Sequence, residues 1–257
     1  MKIIEDGNLS KPSLLFLPSE FITYSNYSKL INNLKNDFRI YFISYDGHDE
    51  TERDLSFDYL KDIEEIETYF KKKEIDHIDL VYTSSLGGLL FLQLLESTNL
   101  KFNKIIFDEI SIPKKHKNLS KKIKIRSKAK KFIKSREDLE KYKSLLDIDS
   151  KTILDKENEE SLSKLFKSIN IFSETTIKSI YTYLYNFNLN EIKIEGDDLD
   201  IVYWNNSKNN NKNNLKFLKQ YIPQIRIVNT NTKISRNLFF FNHEELSKRI
   251  QLFFEIR

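Results

Sequence analysis

Residues 78–88 read Ile78-Asp79-Leu80-Val81-Tyr82-Thr83-Ser84-Ser85-Leu86-Gly87-Gly88, and a helical run, Leu89 to Glu96, follows at once. A β-rich apolar segment stops at two serines and two glycines, so the local reading is a strand, a tight turn and a helix with Ser85 at the apex. Such a turn lifts the apex side chain above the carboxyl edge of a sheet. The close approach of strand to helix leaves no room for side chains two residues to either side. Gly87 meets that demand; Thr83 meets it poorly, being bulkier than Gly or Ala and stiff about its first torsion. The N–H of Leu86 would open the helix, where unpaired donors and the helix dipole favour negative charge. A strand, turn and helix with small residues also begins a phosphate or nucleotide loop, so the stretch alone leaves both open.

Working outward, strands alternate with helices. Ser13-Leu14-Leu15-Phe16-Leu17 is a buried-strand pattern ending at Pro18-Ser19-Glu20. Tyr24 to Asn36 places Tyr27, Leu30, Ile31 and Leu34 on one helical face, and Arg39 to Tyr45 reads as a strand broken by Asp46-Gly47-His48-Asp49-Glu50. A helix from Tyr59 to Lys73 precedes the central stretch; Lys104 to Phe107, Asp200 to Trp204 and Ile225 to Val228 read as further strands. Leu215 to Tyr221 is a helix, and Glu244 to Ile256 a closing one. Alternation of this kind implies a mostly parallel sheet flanked by helices, with functional loops at the strands' carboxyl ends.

Three segments, Leu14 to Pro18, Ser44 to Glu52 and Tyr82 to Gly88, resemble in order and spacing a group of bacterial α/β-hydrolase-like proteins. The resemblance covers residues 12 to 110 and, more loosely, the last sixty. It makes Ser85 the expected nucleophile in a turn of the type G-x-S-x-G-G, with Thr83 in place of the first glycine. It makes the N–H of Leu86 one oxyanion donor and the N–H of Ser19 or Glu20 the other. It also implies a helical cap inserted into the sheet, with residues 1–110 and 196–257 as the α/β core and 111–195 as the cap.

The cap region divides in two. From Lys114 to Arg136 there are 12 Lys or Arg and no acidic residue; that leaves 30 of the chain's 42 basic residues against all 38 acidic ones, so the remainder is net −8. The run reads as a solvated lysine-rich lid face or as a contact for an anionic surface. Its single aromatic residue, Phe132, and the absence of a nucleic-acid motif argue against specific nucleic-acid binding. From Glu137 to Phe187 three helical stripes rich in Leu, Ile, Tyr and Phe follow. They suit an apolar acyl or aromatic pocket, or simply dock the cap on the sheet.

A serine needs a base to take its proton, and the base an orienting carboxylate. The resemblance places the acid after the strand ending at Trp204, where the chain has Asn205-Asn206-Ser207-Lys208; no carboxylate lies between Asp200 and Glu244. It places the histidine near Ser235 or Arg236. The substitutes are His48, beside Asp46, Asp49 and Glu50, and His243, at the start of the closing helix. Asp108 and Glu109, after the strand next to the central one, are the replacement acids. His77 stands at the wrong end of the central strand and His116 in the basic run.

With no cysteine there is no disulfide, thiolate metal site or cysteine nucleophile, and no paired-histidine spacing occurs. Gly87-Gly88 is too short for a dinucleotide fingerprint, so no cofactor is indicated. No apolar run reaches membrane-spanning length and the opening residues lack a leader's apolar core, so the expected compartment is the cytoplasm. The expected activity is that of a serine hydrolase or acyltransferase acting on a small-molecule ester or thioester; the alternative is a catalytically impaired binding or regulatory protein on the same fold.

Overall fold

The computed structural model describes residues 1–49, 55–110, 112, 118–145, 156–189, 199–205, 212–229 and 242–256. Seven strands, β1 (Lys2–Gly7), β2 (Ser13–Leu17), β3 (Arg39–Ser44), β4 (His77–Ser84), β5 (Lys101–Asp108), β6 (Asp200–Asn205) and β7 (Arg226–Asn229), form one sheet in the order β1-β3-β2-β4-β5-β6-β7. β1 runs antiparallel to β3, and the other neighbouring pairs are parallel. β2 is apolar on both faces, with Leu14, Leu15, Phe16 and Leu17 all fully buried. Side chains alternate across a strand, so such a run requires cover on both sides of the sheet.

In chain order the helices are α1 (Ser28–Leu34), α2 (Tyr59–Lys72), α3 (Leu86–Ser97), α4 (Asn118–Ser135), α5 (Leu139–Leu145), α6 (Lys156–Ser168), α7 (Glu174–Asn186), α8 (Lys212–Tyr221) and α9 (His243–Glu255). α1 packs with α9 and α2 with α3. The helix expected from Tyr24 begins as a 3-10 turn, Tyr24–Tyr27, and becomes α-helical only at Ser28. No helix among the described residues is long and apolar enough to cross a membrane.

The strands expected around 13–17, 39–45, 78–84, 104–107, 200–204 and 225–228 all form. β1 is an addition that the sequence reading lacked. Its residues are half-buried except the exposed Glu5, and its short mixed sequence has no alternating apolar face, so only pairing with β3 defines it.

Helices α4 to α7 lie in the chain between β5 and β6 and pack on loops at the carboxyl ends of β2 and β3. Phe132 of α4 stacks on Phe21 at 4.1 Å, and Phe172 and Tyr181 reach the same ring at 5.5 and 5.6 Å. Thr176 Oγ1 of α7 donates to the Leu55 carbonyl, and the Phe57 N–H donates to Ser179 Oγ, each at 2.9 Å. Of the two readings of the aromatic stripes, docking is therefore visible directly.

The register brings the strands' carboxyl ends into one row. Leu17 lies opposite Thr83, Ser84 opposite Asp108, and Asp108 opposite Trp204. The segments that follow, Pro18–Glu20, Ser85, Glu109 and Asn205, consequently share one edge of the sheet.

Candidate active site

Ser85 occupies the turn between β4 and α3 with φ 45° and ψ −109°, outside the ordinary basins for a residue carrying a Cβ. Such backbone strain costs on the order of 1–3 kcal/mol and persists only where packing overdetermines it. Here the packing is explicit. The Gly87 N–H donates to the Pro18 carbonyl at 3.1 Å. A Cβ on Gly87 would stand 2.2 Å from the Leu17 carbonyl oxygen, so the helix start and the end of β2 are fitted backbone to backbone. Thr83 proves compatible with the turn, contrary to the expectation from its bulk: fully buried, it donates from Oγ1 to the Ile106 carbonyl at 3.1 Å. The hydroxyl spends its polarity on the neighbouring strand and leaves the turn its shape.

The Leu86 N–H, first donor of α3, is engaged by a side chain of the same molecule. Glu20 Oε2 accepts it at 3.3 Å. A carboxylate at a helix start is electrostatically favourable, and this one occupies the donor that a developing oxyanion would use. Of the two candidates for the second donor, the Ser19 N–H points to Tyr27 Oη at 3.4 Å, while Ser19 Oγ pairs with Ser84 Oγ at 2.8 Å. Burial first, and the charge of Glu20 in lesser degree, push the Tyr45 and Tyr181 phenols well above their usual range. Sequence reasoning weighed only the backbone of Glu20 and missed its carboxylate. The signal was a charged residue one place beyond the Pro-Ser pair that closes β2.

His48 is buried against Tyr45 and Phe172, with ring centroids 5.2 and 4.9 Å away. Its Nε2 accepts the Phe21 N–H at 3.3 Å, which places the ring proton on Nδ1, facing the Asp46 carbonyl at 3.3 Å. Burial brings this imidazole down to about 4 despite the hydrogen bond and charge of Asp46. At neutral pH it is an uncharged ring whose one lone pair holds the loop that carries Glu20. Phe21 itself sits at φ 59°, so His48 secures a strained residue.

Asp108, at the end of β5 and buried, accepts the Tyr82 hydroxyl at 2.6 Å. Tyr82 lies three residues before the apex on β4, so this carboxyl group is tied to the stem of the turn. His243 is the first residue of α9, behind an Asn242 cap whose side chain accepts the Glu245 N–H. At the position expected to carry the acid, Asn205 Nδ2 donates to Asn229 Oδ1 at 2.9 Å, joining β6 to β7 by a neutral bond. Ser235 and Arg236, near the expected histidine position, lie outside the described residues. No cluster of metal-ligating side chains occurs among the described residues.

A second group escaped the sequence reading. Asp62 of α2 is fully buried, and neither carboxyl oxygen has a hydrogen-bond partner among the described residues. It stands four residues before Ile66 and eight before Phe70, both of which are fully buried. The helical period alone therefore put it on the inner face.

No family model matches this sequence, and no curated protein does either. Solved structures do. A protein assigned to the alpha/beta hydrolase family from Desulfitobacterium hafniense superposes with a TM-score of 0.72 at 12% identity, over 98% of this chain and 99% of that one. An epoxide hydrolase from Bacillus megaterium gives 0.70 at 13%, over 99% and 96%. An esterase from a marine microorganism gives 0.66 at 17%, over 98% of both chains. The chain has the α/β-hydrolase fold along nearly its whole length, as the three quoted segments implied. Identities this low establish the architecture, and the chemistry has to be argued from the site.

Proposed function

We propose that this protein performs acyl transfer of the serine-hydrolase type on an ester or thioester, with Ser85 as nucleophile. The observation that carries the reading is the strained backbone of Ser85 at the head of α3, the strand-to-helix turn on which such a nucleophile sits. In the proposed step Ser85 Oγ attacks the carbonyl carbon, its proton passes to a base, and the oxygen acquires charge beside the Leu86 N–H. The substrate oxygen and the Glu20 carboxylate compete for that donor, so Glu20 has to swing aside first.

The conventional acid and histidine are missing from their expected places. Of the substitutes, His48 has its lone pair committed, Asp108 is bonded to Tyr82, and His243 heads α9. Residual catalysis from positioning and a single oxyanion donor still exceeds the uncatalysed rate by roughly a thousandfold in enzymes stripped of their triads. Turnover is expected to be slow.

A second reading, a catalytically impaired binding or regulatory protein, is favoured by the Glu20 carboxylate standing at the Leu86 N–H. Labelling with a fluorophosphonate probe separates the two. Stoichiometric modification of Ser85, located by mass spectrometry and absent in Ser85→Ala, supports the hydrolase reading. A folded protein that resists the probe supports the other.

A further inference from the structure

The outer face of α4 is a feature that the site does not use. This helix contains no acidic residue, and Lys122, Arg126, Lys128, Lys130, Lys131 and Lys134 are all exposed. None of the six side chains forms an ion pair or hydrogen bond with any described residue. Several other helices of the chain do pair cations with acidic neighbours; α8 also lacks acidic residues, but among the described side chains it shows only two exposed lysines, Lys216 and Lys219, against the six of α4. Lys141 pairs with Asp138, Lys178 with Glu174, Lys248 with Glu244 and Arg249 with Glu245. Just past the end of α4, Asp138 and Glu140 serve Lys141 and Lys143 and leave α4 alone. Lys122, Arg126, Lys130 and Lys134 follow one another at single-turn spacing, an arrangement of like charges that disfavours a helix unless something outside compensates it.

The inner face of α4 is fixed: Ala129, Phe132 and Ser135 are buried, and Phe132 rests on Phe21. The cations from Lys122 to Lys134 are thus held out along about 18 Å of the helix. Near the start of that row, next to Lys122, Ile123 is 61% exposed. The face offers neither an aromatic ring for stacking on bases nor an amide for reading them. A row of cations with an exposed aliphatic side chain matches the headgroup region of an anionic bilayer, where charge attracts and a single apolar side chain sinks in. The remainder of the chain, at net −8 by the count above, is repelled by such a surface, so one orientation is selected.

We infer that α4 docks this protein on anionic lipid membranes. The docking does not depend on Ser85 being reactive. If Ser85 is reactive, a lid helix on the bilayer brings a lipid-borne ester to the site.

The test is flotation with vesicles of phosphatidylcholine, with and without phosphatidylserine, at about 20 mM and about 500 mM salt, since exposed charge is screened over that range. Binding is expected only with the anionic lipid and only at low salt. Each cation near an anionic surface strengthens binding roughly fivefold. The quadruple variant Lys122→Gln, Arg126→Gln, Lys130→Gln, Lys134→Gln should therefore lose on the order of a hundredfold or more. A control with equal charge change, Lys141→Gln, Lys178→Gln, Lys219→Gln, Lys248→Gln, should keep most of its binding. Ile123→Ser should weaken binding to vesicles several-fold and leave any binding to duplex DNA unchanged. The inference is overturned by an absence of vesicle binding at low salt, by equal loss in the control variant, or by tighter binding to duplex DNA than to vesicles at matched phosphate. Circular dichroism of each variant establishes that it is folded.

Discussion

Replacing Asp62 by asparagine should stabilise this protein, by an amount that grows with pH. Burial first, with the charges of Asp46 and Glu65 adding to it, pushes this carboxyl from 3.8 to about 8, against the opposing pull of the Met1 ammonium and Lys61. At pH 7 the folded chain therefore holds Asp62 protonated, while the unfolded chain ionises it freely. Each pH unit above the unfolded value costs about 1.4 kcal/mol of stability, so the interval from 3.8 to 7 costs about 4 kcal/mol. Because the folded value is the raised one, the stability is fully present below pH 4 and drains away as pH rises through 8. Asparagine keeps the shape and never ionises. Apart from a constant offset for its amide, Asp62→Asn should match the parent near pH 4, gain about 1.4 kcal/mol per unit above that, and level off beyond pH 8. Urea unfolding at a series of pH values, with unchanged m-values, measures the difference directly. A difference independent of pH, or a variant that weakens as pH rises, would mean that Asp62 is ionised and paired, and would refute the reasoning.

The remaining predictions concern the site. Gly87→Ala forces a Cβ against the Leu17 carbonyl and should destabilise the fold by about 3 kcal/mol or more, since overpacking backbone against backbone has no easy relaxation; an unchanged Tm would contradict the described fit. Glu20→Gln removes the charge at the Leu86 N–H and should speed fluorophosphonate labelling of Ser85 at least about tenfold, given that an oxyanion donor is worth about a hundredfold or more. Slower labelling would instead make Glu20 the base. His48 should titrate near pH 4 when followed by its ring protons in NMR spectra, as its burial implies, and a midpoint at 6 or above would release it as a candidate base. Because that folded value is the depressed one, the unfolded chain binds a proton that folded His48 does not, which should remove about 3 kcal/mol of stability as pH falls from 6.5 to 4, a loss that His48→Gln should lack.

The core of the fold was legible because its signals are local. β2, β4 and β5 carry compact apolar runs, Leu14–Leu17, Leu80–Tyr82 and Ile105–Phe107, and the turn at Ser85 follows a strand and opens a helix without a gap. Asp62 was legible too, through its spacing from Ile66 and Phe70, although the pattern is easily overlooked when apolar residues alone are counted. β1 was not, because a short edge strand of mixed polarity is defined by its partner. Nor could the sequence tell that Thr83 fits, since its hydroxyl is satisfied by a carbonyl 23 residues away on β5.

The sequence alone carries the order of every strand but β1, Ser85 at the apex, the absence of a carboxylate after Trp204, and a basic run without an acidic residue. All of these are properties of neighbours along the chain. Only the tertiary structure decided which groups the sheet's carboxyl edge brings together. Glu20 and Leu86 are 66 residues apart, yet the carboxylate of one takes the N–H of the other. His48 and Phe21 are 27 apart, and their bond turns a candidate base into a neutral prop. Parallel strands joined by helices place the ends of distant segments side by side, so whether a charged or basic side chain is free to act depends on a neighbour that sequence distance does not reveal.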